Sequence, residues 1–340
     1  MFKTLLRHAN QPRIPAHLRA NFRDLTPEHQ AQLEAVLRAQ YFTRPIWGEQ
    51  ITPEQYLASE VGQRDLQDHM FGRLQAFRER VIPWLDAARP LKGATILEIG
   101  CGTGSSTVAL AEQGARVIGV DIDAPSLAVA RTRCELYGLE NVSFHQVNAT
   151  DVHRRFPDED FDFIIFFACL EHMVHQERLD AMRSTWEMLS AGKLWCVIDT
   201  PNRLWYFDHH TAHLPFFFWL PDDLAFDYTR FSPRKPFDES FRERNAATML
   251  NFLRHGRGVS YHEFDLAIKP SAQLQVVSSL SLFIREQRPL WKWGRRFMRS
   301  ANYRFESFLR EVGPDIHPGF YQPSLDLIIR KDGEGGSGKG

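Results

Sequence analysis

The chain has 340 residues, 43% hydrophobic and 24% charged, and a formal net charge of −1 from 41 basic and 42 acidic side chains. That composition supports a full core, and the balanced charge supplies no global field to attract nucleic acid. No apolar run reaches the roughly 20 residues of a membrane-spanning helix, and Lys3 and Arg7 interrupt the N-terminus before a signal-peptide apolar region can form.

Residues 1–26 are polar and basic with two prolines and read as an extended arm. Pro27 opens a helix to about Tyr41, and a second helical region runs from about Pro53 to Trp84 with breaks at Gly62 and Gly72. Strands are predicted near 94–99, 116–121, 142–147, 161–168 and 193–199, with helices near 104–113, 124–137 and 176–190 between them. Such alternation is the pattern of a parallel sheet with helices on both faces. From 200 to 272 the rhythm lapses into a stretch rich in aromatics, His, Pro and Asp, with one helix near 239–254. A strand near 274–284, a basic aromatic helix over 288–311 and a strand near 324–330 follow. The Gly-rich tail 331–340 is predicted to be disordered. Cys101, Cys134, Cys169 and Cys196 lack Cys-x-x-Cys spacing and read as reduced core thiols of a cytosolic protein.

The most informative stretch is Ile96-Leu97-Glu98-Ile99-Gly100-Cys101-Gly102-Thr103-Gly104. A buried strand ends in a glycine turn that opens a helix, where bare backbone and free N–H groups receive a ligand. Asp121, twenty-one residues past Gly100, closes the next apolar strand at the distance suited to ribose hydroxyls. A dinucleotide turn needs Gly-x-Gly-x-x-Gly, yet Ser105 occupies its third glycine position. The carboxylate of Glu98 also suits a positively charged ligand, such as an amino group with a sulfonium, better than a pyrophosphate.

ILEIGCGTG followed by VIGVDID resembles motif I and the next acidic motif of class I S-adenosylmethionine-dependent methyltransferases. The resemblance implies a Rossmann-like, doubly wound, mostly parallel seven-stranded α/β domain over 93–330, with an N-terminal arm and helical cap over 1–92. The stretch 200–272 then becomes a substrate-side insertion after the fifth strand. It also implies S-adenosylmethionine as cofactor, held by Glu98, Gly100, Gly102, Gly104 and Asp121, with Ile122 flanking the adenine. Asn148 and Ala149 stand where many relatives have Asp-Ala at the adenine amino group; Asn148 is alternatively a turn residue. Ala168-Cys169-Leu170-Glu171-His172 matches the fourth-strand motif, which places Ala168 at the cofactor and leaves His172 as either a general base or a structural residue. Thr200-Pro201-Asn202-Arg203 matches a family segment after the fifth strand, which puts Asn202, Arg203 and Trp205 on the acceptor side.

Asp208, His209, His210 and His213 follow in the insertion. Their spacing lacks a helical i, i+4 ligand pair, so no metal ligand is assigned, and His209, His210 and His213 join His172 as candidate bases. Ser260 and Glu263 fit a capping box, which leaves Tyr261 and His262 for the acceptor. The expected activity is O-methylation of a small molecule or a glycan- or lipid-linked intermediate. The alternatives are an RNA or protein N-methyltransferase, and a non-catalytic cofactor-binding scaffold. A nucleic-acid partner is not expected. The expected location is the cytoplasm, with 285–310 as the segment for any peripheral contact with a membrane's inner face.

Overall fold

The structure, a computed structural model, describes residues 14–43, 51–234, 237, 240–287 and 300–333. One sheet contains β1 (Thr95–Ile99), β2 (Arg116–Asp121), β3 (Val142–Gln146), β4 (Phe163–Phe167), β5 (Leu194–Pro201), β6 (Gln275–Ser279) and β7 (Ser324–Arg330), in the order β3-β2-β1-β4-β5-β7-β6. The first five strands are parallel, and β7 runs antiparallel between β5 and β6. Phe-Ile-Ile-Phe-Phe in β4 is buried throughout, as a central strand covered on both faces must be. Alternate residues serve opposite cores. Ile96, Phe163, Ile165, Cys196 and Ile198 pack with Trp84 and Val108, while Leu97, Ile164, Phe166, Trp195 and Val197 pack with Met182 and Phe264. Strand order reverses between β1 and β4, so their carboxyl ends open a crevice.

Ahead of the sheet, α1 (Pro27–Val36), α2 (Pro53–Ala58) and α3 (Glu60–Gln67) lead through π-helical turns into α4 (Ile82–Ala88). The helical region breaks at Ser59, not at Gly62 or Gly72. Gly62 sits inside the run because a Cβ there would meet the Tyr56 carbonyl oxygen at 2.0 Å. The expected extended arm is also corrected over its described part. Leu18 and Leu25 are buried, and Arg23 donates to the carbonyls of Tyr137 and Gly138.

Between the strands lie α5 (Ser105–Ala111), α6 (Ala124–Leu136) and α7 (His175–Met188). The insertion contains α8 (Asp222–Tyr228), α9 (Ala246–Arg254) and α10 (Tyr261–Ala267). Phe217, Phe226, Phe237, Phe241 and Phe252 give it a core of its own. The strand expected over 274–284 ends at Ser279, where α11 (Leu280–Glu286) begins. Leu280, Phe283 and Ile284 share one helical face against the core, so period 3.6 takes over from period 2. In α12 (Ala301–Val312), Phe305 packs 5.4 Å from Trp205, and Glu306 pairs with Arg285 and Arg310. The rest of the predicted basic segment, 288–299, lies outside the described residues.

The first residues of the predicted disordered tail are held by the fold. The Lys331 N–H donates to the Lys193 carbonyl, and Asp332 pairs with Lys269, while 334–340 lie outside the described residues. Among the described residues no helix is long and apolar enough to cross a membrane.

Candidate active site

The carboxyl edge of β1 runs into a turn whose glycines are all left-handed, with φ of +80° at Gly100, +49° at Gly102 and +79° at Gly104. A Cβ at Gly100 would lie 2.7 Å from the Cys169 Cβ, whereas one at Gly102 would meet nothing within 4 Å. Bare backbone thus faces open space at Gly102. Asp121 closes the turn from β2, its two carboxylate oxygens accepting the N–H groups of Gly102 and Asp123, each at 2.9 Å. An ionised carboxylate has about four acceptor sites, so capacity remains for a pair of hydroxyls. Burial raises its pKa. Ile122, beside it, is 61% exposed, an apolar surface for a flat ring. These features fit an adenosyl group.

Glu98 requires a correction. It is fully buried, and its oxygens accept the hydroxyls of Ser106 and Thr107, the latter at 2.6 Å. Burial pushes its carboxyl up to about 7. The residue ties β1 to the first turn of α5, and both of its oxygens are taken up there. Asn148 is likewise occupied, its side-chain oxygen accepting the Thr150 N–H and hydroxyl, both at 3.1 Å. Ala149 is buried behind it. Ala168 follows β4 at φ +40° and Asp199 lies in β5 at φ +57°, strained positions of the kind that gather at functional edges.

A second cluster joins the loop after β4 to the insertion. Glu171 is fully buried, its Oε1 has no hydrogen-bond partner, and the Thr200 hydroxyl lies 3.4 Å from its Oε2. The Nε2 atoms of His172 and His210 stand 3.7 and 3.9 Å from that Oε1, and the two rings are 5.4 Å apart. One edge of His210 opens outward, yet surrounding protein lowers its pKa to about 4, with nearby His172 acting the same way. Burial raises the Glu171 carboxyl.

The other histidines stand elsewhere. The His209 ring lies 4.7 Å from that of Phe207 at a tilt of 48°, and His213 is exposed at φ +55°. Asp208 turns back on its own loop, accepting the N–H groups of His210, Thr211 and Ala212. Arg178 organises the cluster from α7. Only 2% exposed, it donates to the carbonyls of Leu170 and Arg257 and pairs with Glu263 at 3.0 Å. Sequence reasoning missed Arg178, because a mid-helix arginine reads as solvated. It also assigned no role to Glu171.

The proposed acceptor residues divide. Asn202 is buried, its amide donating to the carbonyls of Phe320 and Gln322, yet it contributes to the lining of a cavity beside His210, whereas Trp205 is 2% exposed and lines neither of the site's two cavities. Arg203 and His262 line a cavity of about 450 Å³ with Phe218, Trp219, Leu220 and Arg257. Arg257 is 3% exposed, and its Nη1 has no hydrogen-bond partner. Tyr261 stacks 4.1 Å from His262, outside that lining. A second cavity of about 210 Å³ is lined by Asp199, Phe207, His209, His210 and again Phe218. The Ser260–Glu263 capping box is present, Glu263 accepting the Ser260 N–H at 3.0 Å. On the cofactor side the N-terminal helices cover the turn, where His69 Nδ1 meets the Thr103 hydroxyl at 3.3 Å and buried Arg133 donates to the carbonyls of Thr103 and His69. No sequence signal marked that contact.

A doubly wound sheet with a glycine turn closed by an aspartate at its switch point is the arrangement of nucleoside-binding α/β proteins. Residues 96–192 match the family described as a methyltransferase domain. That match agrees with the resemblance of the glycine turn and Asp121 to class I S-adenosylmethionine-dependent methyltransferases, and S-adenosylmethionine is the cofactor of that family.

Among relatives, it is 36% identical over 95 residues to the ubiquinone biosynthesis O-methyltransferase of Pseudomonas paraeruginosa, covering 27% of this chain and 39% of the relative. A demethylmenaquinone methyltransferase of Tropheryma whipplei is 36% identical over 94 residues, covering 26% and 37%. The cypemycin N-terminal methyltransferase of a Streptomyces species is 55% identical over 47 residues, covering 14% and 19%. The chain thus spans less than half the length of each of these relatives. A solved magnesium protoporphyrin IX methyltransferase from Synechocystis, with bound cofactor, is 18% identical, covering 53% of this chain and 80% of that one with a TM-score of 0.36.

Proposed function

We propose that the protein transfers a methyl group from S-adenosylmethionine to an oxygen of a small molecule admitted through the insertion. The carrying observation is a convergence at the sheet's carboxyl edge. Gly100 packs on Cys169, and two residues later Glu171 meets His172 and His210. Asp121 and the bare turn hold and orient the adenosyl portion, Ile122 backs the ring, and the aromatic insertion restricts water at the acceptor. When bound, S-adenosylmethionine supplies the methyl group and a neutral thioether leaving group. The reaction is an in-line displacement, so these residues act mainly through alignment. An alcohol acceptor must also lose a proton, and the Nε2 atoms of His172 and His210 are the polar groups suited to that step.

The cavity lining supports an acceptor with an apolar body and an anionic end, since Phe218, Trp219 and Leu220 surround Arg203 and Arg257, of which Arg257 is paired with Asp222 through Nε and leaves Nη1 over. A glycan or lipid intermediate carrying phosphate falls within that class. The O-methyltransferase among the relatives supports oxygen as the target. The test is release of S-adenosylhomocysteine across a panel of anionic and neutral alcohols and phenols, using native protein and the four His→Ala variants. Turnover on an anionic hydroxyl substrate, reduced in the His172 and His210 variants and largely retained in the His209 and His213 variants, supports the reading. Turnover confined to amines, or indifferent to all four histidines, refutes it.

A further inference from the structure

We propose that Glu171, His172 and His210 form the binding site of one divalent transition-metal ion. The argument starts from the protons. His172 Nδ1 lies 2.9 Å from the Arg254 carbonyl oxygen, which can only accept, so Nδ1 carries the ring proton. The Thr211 hydroxyl donates to the Gly256 carbonyl at 2.8 Å and must therefore accept from His210 Nδ1, 3.1 Å away. Both neutral rings are thereby fixed in the same tautomer, with the Nε2 lone pair exposed.

Both lone pairs face Glu171 Oε1, itself buried and without a hydrogen-bond partner. Separations of 3.7 and 3.9 Å are too long for hydrogen bonds, even with a proton placed between the groups. Three acceptors thus converge with no donor among them and the charge of Arg178 acting on Glu171 from outside the group, an arrangement that a cation at the centre completes.

The spacing suits an ion. The three ligand atoms lie within 4.8 Å of one another. Ligands at about 2.1 Å around a tetrahedral ion stand about 3.4 Å apart, so small side-chain rotations close the site. Two imidazoles and one carboxylate select zinc, manganese, cobalt or iron over magnesium or calcium, which prefer all-oxygen shells. The supporting contacts are those of metal-bound histidines, whose remote N–H is held by a carbonyl or a hydroxyl. Gly256 contributes by lacking a side chain, because a Cβ there would lie 2.9 Å from the His210 ring. The His172 and His210 side chains are 43% and 36% exposed, so an ion held between them is reachable from outside. Its role rests on the methyl-transfer reading and changes one step of it: with both Nε2 lone pairs on the ion, the ion favours the ionised form of an acceptor oxygen in place of an imidazole taking its proton.

The experiment uses the full chain stripped with chelator, then titrated calorimetrically with Zn²⁺ and, in parallel, with Co²⁺ followed by visible absorption. One ion per chain is expected, with cobalt bands typical of nitrogen ligation. His210→Ala and Glu171→Gln each weaken binding beyond the roughly 10–100-fold typical of outer-contact changes, and Thr211→Val weakens it within that range. His209→Ala leaves it unchanged. Absence of stoichiometric binding by folded protein, or binding indifferent to His210→Ala and Glu171→Gln, overturns the proposal. S-adenosylmethionine binding is measured on the same samples. Protein that binds the nucleoside but no metal fails this inference alone, and the converse fails the methyl-transfer reading alone.

Discussion

Replacing Glu98 by Gln tests how the cofactor turn is held. The native carboxyl is fully buried with only the Ser106 and Thr107 hydroxyls as partners, and burial lifts it from 4.5 to about 7. Between those values the folded chain keeps a proton that the unfolded chain releases. Folding stability therefore falls as pH rises through this window and levels off above it. A gap of this size corresponds to roughly 3 kcal/mol at 1.36 kcal/mol per pKa unit. Gln is neutral throughout and retains an oxygen for one hydroxyl, while the other hydroxyl can rotate to accept from its amide. Urea unfolding of both proteins at pH 5 and pH 8 checks this. The variant should match native protein to within about 1 kcal/mol at pH 5 and exceed it by roughly 2–3 kcal/mol at pH 8. Identical pH dependence in the two proteins would refute a protonated, buried Glu98.

Arg178→Met removes one partner of a buried ion pair and leaves Glu263 and several loop carbonyls unsatisfied, so unfolding free energy should drop by about 3–5 kcal/mol in denaturant titrations. The glycines should separate by role. Gly100→Ala collides with the Cys169 Cβ and the Phe167 carbonyl at left-handed φ, and should lower the melting temperature strongly. Gly102→Ala meets open space and costs only about 1–2 kcal/mol of backbone strain, yet should abolish calorimetric binding of S-adenosylmethionine if that space is the ligand's.

The sheet was legible in the sequence because its central strands, β1 and β4 above all, are near-continuous apolar runs, and β1, β2 and β7 fall within a residue or two of expectation. Leu280 to Ile284 misled because an apolar run after a strand reads as its continuation, although the 280, 283, 284 spacing carried the helical signal. Site residues near the chain's own turn were readable from spacing: Gly102 and Asp121 meet at 2.9 Å. Contacts across long separations were not. Nothing local distinguishes His210, brought to Glu171 by a glycine 46 residues further on, from His209 and His213, which point elsewhere. Trp205 sat in a family-like segment but is buried against Phe305, since a motif fixes residue type without saying which neighbour takes the side chain.

Isothermal titration of the native chain and Asp121→Ala with S-adenosylmethionine, S-adenosylhomocysteine and NAD bears most directly on the whole account. Native protein should take one equivalent of either adenosyl compound and none of the dinucleotide. The variant should bind at least about 100-fold more weakly, since hydrogen bonds to a charged group contribute about 1.5–3 kcal/mol each. Binding of NAD without either adenosyl compound, or affinity unaffected by the loss of Asp121, would contradict it.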